Sequence, residues 1–165
     1  MDERKLVRNA ARGDRESFAE LYIKYRDRLY RYAVFRVGED CAADAVSDCV
    51  AEAWRCIPTL RDENAFGAWI FKLLHRSCIS QIKEQKRQRA QSGLEQVELS
   101  YTEDFKGLEL SQALGLLSDE EREIVLLSAV AGFSSREIGE LLSLRASTVR
   151  SKLSRSLKKM REFLE

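Results

Sequence analysis

Proline and histidine are almost missing from this sequence: Pro58 and His75 are the single representatives in 165 residues. With so few chain breakers, a loop-rich or all-β fold is disfavoured. One histidine, no phosphate-cradling glycine loop and no convergent nucleophile and base leave little from which to build an active site, so neither catalysis nor a cofactor is expected. No stretch approaches about eighteen uninterrupted apolar residues. Met1-Asp2-Glu3-Arg4-Lys5 lacks the apolar core of a secretory signal, so the expectation is a cytoplasmic protein without membrane insertion. Neither charge sign dominates: 28 Lys plus Arg face 27 Asp plus Glu, a net charge of +1, which argues against a uniformly basic nucleic-acid coat or an acidic disordered tail. Cysteine occurs at Cys41, Cys49, Cys56 and Cys78 but never as a CxxC pair. Such cysteines are commonly small buried hydrophobes; the alternative is a site on His75-x-x-Cys78, which shares one helix face but supplies only two ligands.

What remains is 44% hydrophobic and 33% charged, an inventory that predicts an all-α chain. The organisation expected is two small helical domains, residues 1–90 and 108–165, joined by a flexible acidic linker over 91–107, with a helix-turn-helix in the second. In the first domain a short helix over Glu3 to Ala11 ends at Gly13. Phe18, Leu21, Tyr22, Tyr25, Leu29, Tyr32 and Ala33 then follow helical spacing and form one face. After Gly38, a helix from Cys41 to Cys56 turns Ala45, Cys49, Ala53 and Cys56 inward and stops near Pro58. Thr59 to Ala65 reads as a polar loop. A long helix from Phe66 places Phe66, Trp69, Ile70, Leu73 and Leu74 inward, with Lys72, Arg76, Lys83, Lys86, Arg87 and Arg89 available outward. Residues 91–107 lose this periodicity and gather Glu95, Glu98, Glu103 and Asp104.

The second domain opens with Leu108 to Leu117. Two capping boxes follow, Ser118-Asp119-Glu120-Glu121 and Ser134-Ser135-Arg136-Glu137, each marking a helix start. Ile124, Val125, Leu127 and Val130 line the first of these helices, and Ile138, Leu141 and Leu142 the second. After the turn Ser143-Leu144-Arg145, a last helix carries Val149, Leu153, Leu157, Met160 and Leu164 as its apolar residues.

A short helix, a three-residue turn and a longer helix is helix-turn-helix geometry, in which the second helix enters the major groove of DNA. Its outward residues Thr148, Arg150, Ser151, Lys152, Ser154 and Arg155 suit that role. Hydroxyls donate, and arginine grips guanine or phosphate bidentately. Lys158, Lys159 and Arg161 extend the positive face. An αα-hairpin with a solvated charged face has the same spacing. In the first domain, Glu39, Asp40, Asp44, Asp48 and Glu52 lie in a stretch without a base, whereas Lys72 to Arg89 holds six bases against Glu84 alone. The basic helix suits a nucleic-acid backbone and the acidic one a basic protein surface; mutual neutralisation inside the domain is the other reading.

Several motifs carry a family resemblance. Phe18-x-x-Leu21-Tyr22-x-x-Tyr25-x-x-x-Leu29-Tyr30, Asp44-Ala45-Val46-Ser47-Asp48 followed by Trp54, and Phe66-Gly67-Ala68-Trp69-Ile70-Phe71-Lys72 stand in the first domain. Leu117-Ser118 with Arg122 and Val125, Gly132-Phe133-Ser134 with Glu137-Ile138-Gly139, and Thr148-Val149-Arg150-Ser151-Lys152-Leu153 stand in the second. In this order they resemble the extracytoplasmic-function group of bacterial sigma factors, the small two-domain members of the sigma-seventy family, from about Phe18 to Phe163.

The resemblance implies a subunit that binds core RNA polymerase, recognises promoter DNA both as duplex and as melted single strand, and is held inactive by an anti-sigma factor. Asp44, Ser47, Asp48 and Glu52 fall on the helix that docks on the polymerase clamp. Arg61, Asp62, Glu63 and Asn64 lie in the loop that captures a flipped-out base of the minus-ten element, with the Asn64 amide the most suitable reader. Arg76, Ser80 and Lys83 match positions at the upstream end of that element. Arg150, Ser151, Ser154 and Arg155 match readers of the minus-thirty-five element. The chain departs from the family at Ser47, where Gln is usual, at Arg76 and Ser80, where Asn and Asp are usual, and at Ser118, Ser128 and Arg145. Two other classes use the same helices: a helix-turn-helix regulator independent of the polymerase, and an all-helical adaptor that binds only proteins.

Overall fold

The computed structural model describes residues 2–92 and 105–165, with side chains for 2–92 and 109–165. Its helices are α1 (Glu3–Ala11), α2 (Arg15–Val37), α3 (Glu39–Cys56), α4 (Phe66–Ser92), α5 (Phe105–Gly115), α6 (Asp119–Ala129), α7 (Ser135–Leu142) and α8 (Ala146–Leu164). Two 3-10 turns, Ile57–Thr59 and Glu63–Ala65, sit between α3 and α4. The described residues contain no strand, as the composition predicts. They also contain no helix long and apolar enough to cross a membrane.

Local chemistry sets the boundaries. Asp2 and Asp14 accept backbone N–H groups of Arg4 and Glu16, capping α1 and α2. Gly38, at φ +86°, ends α2 and opens α3 in a left-handed geometry that a side chain would strain. Three boundaries differ from expectation: α3 begins at Glu39, α4 continues to Ser92 and α5 begins at Phe105, so both ends of the 91–107 stretch are helical. Apolar periodicity fades after Leu74, but Arg87 to Gln91 are good helix formers, and backbone propensity extends the helix past its buried face. Glu95, Glu98, Glu103 and Asp104 lie outside the described residues.

In the first unit, α3 packs against both α2 and α4. Ala42, Ala45, Cys49 and Ala53 are fully buried on its inward side. This small-residue stripe lets large neighbours close over it: Leu21, Leu29 and Tyr32 from α2, Phe66, Ile70, Phe71 and Leu74 from α4, all essentially inaccessible. Tyr32 meets Phe71 edge-on at 5.9 Å between ring centroids, and Tyr25 meets Phe66 at 5.3 Å. Cys49 and Cys78 belong to this interior, and burial pushes each thiol up to about 12. They are packing residues with no thiolate character.

Both expected capping boxes form, Ser118 with Glu121 and Ser134 with Glu137. Arg122 reaches back to donate to the carbonyls of Leu114 and Leu117, satisfying the frayed end of α5. On α8 the buried stripe is Val149, Ser156 and Met160, with Leu153 half-buried. Leu157 and Leu164, expected inward, are 39% and 47% exposed. The reason is that Ser156, not Leu157, faces α6, where its hydroxyl donates to Glu121 Oε2 at 3.2 Å.

The two units share one continuous core. Phe133 packs edge-on against Phe71 at 5.2 Å, and Arg28 donates to the Ala131 carbonyl at 3.2 Å. Arg36 of α2, 4% exposed at its side chain, donates from Nη2 to Glu123 of α6 at 2.8 Å. His75 Nδ1 stands 3.2 Å from the same Glu123 oxygen without hydrogen-bond geometry.

Gly139 is the tightest point of the helix-turn-helix. A methyl group there would sit 2.5 Å from the Leu144 carbonyl oxygen, a backbone atom that cannot swing away. Gly139→Ala is therefore expected to destabilise the second unit by about 1–3 kcal/mol, the usual range for overpacking. Urea unfolding measures this, and an unchanged midpoint would contradict the turn geometry.

Candidate nucleic-acid interface

α8 presents Arg150, Ser151, Ser154 and Arg155 on its exposed side, and Lys158 continues that face. Arg150, Arg155 and Lys158 form no ion pair with a described residue; Arg155 Nε only leans on the Ser151 carbonyl of its own helix at 3.3 Å. Two expected members are less available. Thr148 is half-buried near the turn, and Lys152, also half-buried, is held by Glu120 of α6. Lys159 is similarly turned toward Glu121 at 3.5 Å. The acidic start of α6 thus neutralises the back of α8 and leaves its front cationic.

In the first unit the segment before α4 is more structured than a plain polar loop. Asp62 Oδ1 accepts from the Asn64 backbone N–H at 2.9 Å, and the Ala65 N–H reaches the Asp62 carbonyl at 3.0 Å, forming the Glu63–Ala65 turn. Glu63 is drawn away by a bidentate grip from Arg8 of α1, at 2.8 Å and 3.0 Å. Of the four residues expected to meet a base, Asp62 and Glu63 are therefore engaged within the protein. Arg61 and Asn64 are exposed, with no side-chain hydrogen bond to a described residue. Arg76, Ser80 and Lys83 are also exposed, on the α4 face that includes Lys72.

The acidic helix does not neutralise the basic one. Glu39, Asp40, Asp44 and Asp48 make no ion pair with a described residue, and Glu52 pairs with Arg55 on its own helix. Asp44, Ser47 and Asp48 are exposed, whereas Glu52 is half-buried and accepts the Cys56 thiol. Between α2 and α3 runs an open groove of about 630 Å³, lined by Tyr22, Arg26, Tyr30, Val46, Ser47 and Val50 among others. Tyr30 is 46% exposed at its rim. Sequence periodicity placed Tyr22 in the core and gave no sign of this groove.

His75 and Cys78 do not come together as an open pair of ligands: Cys78 is fully buried and His75 faces Glu123 and Arg36. Arg8, Arg36 and Glu123 were not legible as functional partners, since a lone charge on a helix face does not name its counterpart. One signal existed for Arg36, because it falls on the same buried stripe as Tyr32 and Ala33.

These geometries define a helix-turn-helix with a cationic front, coupled to a second helical module with a basic face and an acidic face. Sequence models for sigma-70 region 2 and sigma-70 region 4 match residues 21–88 and 107–160 respectively. The chain belongs to the sigma-70 family of bacterial RNA polymerase sigma factors, with the two-module arrangement of the extracytoplasmic-function (ECF) group. It is 27% identical to RNA polymerase sigma factor SigV of Bacillus subtilis (strain 168), over 83% of this chain and 84% of that protein. It is 24% identical to ECF RNA polymerase sigma-E factor of Escherichia coli (strain K12), over 94% and 91%. Among solved structures, the sigma factor RpoE in complex with the anti-sigma factor NepR from Bartonella quintana shares the fold, with TM-score 0.78, 23% identity and coverage of 90% and 97%. CnrH in complex with the cytosolic domain of CnrY gives the same score and identity over 98% and 96%.

The carboxylate of Glu121 joins the start of α6 to α8. Hydrogen bonds from Ser118, with help from Lys159 and Ser156, hold it well below the usual carboxylate range, at about 2. A folded pKa below the unfolded value of 4.5 means its stabilisation is complete above pH 4.5 and is lost as pH falls toward 2. His75 acts in an adjacent window: burial, then Arg36 and Arg76, push it from 6.5 down to about 4, so acidification through that range also favours unfolding. Glu121→Gln keeps the capping acceptor and removes the titration. Its acid-unfolding curve is expected to be shallower between pH 4.5 and 2 than that of the unsubstituted protein, and an identical slope would contradict the assignment.

Proposed function

We propose that this chain is a promoter-specificity subunit that works in the cytoplasm, without a catalytic step or cofactor of its own. In this reading residues 1–90 dock on core RNA polymerase and engage the minus-ten element, 91–107 connect the modules, and 108–165 read the minus-thirty-five element. The observation that carries it is charge segregation: Glu39, Asp40, Asp44 and Asp48 on α3, Lys72, Arg76 and Lys83 on α4, and Arg150, Arg155 and Lys158 on α8 are exposed or half-buried charges that form no ion pair with a described residue. Asp44, Ser47, Asp48 and Glu52, beside the Tyr22–Tyr30 groove, offer core polymerase a mixed acidic and aromatic surface suited to a basic helical partner. Ser47 reaches less far than the Gln usual in the family, so the groove carries more of the contact.

Arg61 and Asn64 receive an unstacked base of the opened duplex. Arg76, Ser80 and Lys83 follow the strand upstream, and Lys72 adds a phosphate contact. Arg150, Ser151, Ser154 and Arg155 face the major groove. A protein inhibitor regulates the subunit; the structural neighbour RpoE, solved in complex with the anti-sigma factor NepR, supports this reading. A polymerase-independent regulator with the same helix-turn-helix would have no use for the α3 surface, which favours the sigma reading.

Measured with the polymerase-bound protein, Arg155→Ala is expected to cost about 1–3 kcal/mol at one base position and to relax preference there. Lys158→Ala should weaken all sequences alike and lower the slope of log affinity against log salt by about 1. Unchanged base preference after Arg155→Ala would remove it from the reading set.

A further inference from the structure

The N-terminal helix α1 lies ahead of the sigma-70 region 2 match, which begins at residue 21. It is nevertheless tightly docked: Leu6, Val7 and Ala10 are 5%, 2% and 1% exposed, and α1 touches both 3-10 turns of the segment before α4. Two charged anchors point the same way. Near its start, Glu3 accepts the Tyr25 hydroxyl at 2.8 Å and pairs with Lys24 at 3.1 Å. Near its end, Arg8 grips both carboxylate oxygens of Glu63. Tyr25 in turn packs edge-on against Phe66, and its hydroxyl stands where a methyl group on Gly67 would meet it at 3.0 Å. Phe66 and Gly67 are the first two residues of α4. α1 therefore fixes the segment in its middle, through Glu63, and at its downstream end, through Tyr25.

We propose that α1 is a clasp for the minus-ten loop, and that Arg8 is a positioning residue which, by holding Glu63, sets how Asn64 and Arg61 meet the captured base. The proposal rests on the promoter-reading function given above. Its physical basis is geometric. Glu63 adjoins Asn64, and the fork fixes two hydrogen bonds in one plane, which restricts the Glu63 backbone and with it the neighbouring Asn64. Arg8 is 51% exposed and Glu63 31%, so the pair adds little to overall stability, and its effect is concentrated on loop order. The competing role for Glu63 is direct hydrogen bonding to a base amino group, with Arg8 incidental.

Transcription by core RNA polymerase with the full chain, on a template library randomised across the minus-ten region, separates these roles. The quantity read is the selectivity ratio at the captured base. Arg8→Ala is expected to lower that ratio about two- to five-fold, the scale of a surface ion pair. Glu63→Ala should lower it similarly, the double variant no further than either single one, and the exchanged pair Arg8→Glu with Glu63→Arg should restore most of it. Affinity for core polymerase should stay unchanged throughout. The clasp is overturned if Arg8→Ala leaves the ratio intact, if Glu63→Ala removes selectivity that Arg8→Ala retains, or if Arg8→Ala lowers output equally on every template. An unsubstituted protein with no minus-ten selectivity overturns the promoter-reading function itself and the clasp with it; that result appears before any variant is made.

Discussion

The stripe of small side chains along one side of α3 is the constraint on which the first module depends. Ala42, Ala45, Cys49 and Ala53 leave no room for anything but close approach, so α2 and α4 bring their largest residues, Tyr32, Phe66 and Phe71, directly onto that surface. With its inner side committed to this packing, α3 turns Asp44, Ser47 and Asp48 outward. α4, buried through Phe66, Ile70 and Leu74, must likewise present Lys72, Arg76 and Lys83 to solvent. A bulky residue at Cys49 would shift α2 and α4 together and disturb the acidic and the basic surface at once.

Net charge turns out to be a poor guide to how the molecule meets its partners. The balance of +1 arises because the two modules handle charge differently. In the second, Glu120, Glu121 and Glu123 are each paired, with Lys152, Lys159 and Arg36, so the free charge on α8 is positive and forward-facing. In the first, Glu39, Asp40, Asp44 and Asp48 of α3 form no ion pair with a described residue. In the proposed function one surface faces a basic protein and two face nucleic acid, and a near-neutral chain leaves tight promoter contact to the polymerase complex.

Most of the fold was legible because it rests on local rules. Helical spacing found the buried stripes of α2, α3 and α4, and the serine-glutamate boxes at Ser118 and Ser134 marked two starts correctly. What local rules leave out is the non-local partner. Leu157 has the right spacing for burial, but Glu121 on α6 selects Ser156 instead. Lys152 sits among outward residues, yet Glu120 holds it. Glu63 lies in the loop that the resemblance assigns to the minus-ten element, but Arg8, fifty-five residues earlier, claims its carboxylate. The joining of the two modules through Arg36 and Glu123 was likewise invisible, since a charge on a buried stripe announces a partner without naming it.

In the proposed function this chain confers promoter specificity on a polymerase that lacks it. The most direct measurement is reconstitution: core RNA polymerase and the purified chain, separately and together, on a genomic fragment library, with the transcript starts sequenced. Discrete starts are expected only when both are present, each preceded by two shared sequence elements at fixed spacing. Failure of the chain to bind core polymerase in the absence of any inhibitor, or starts that do not change when it is added, would contradict it.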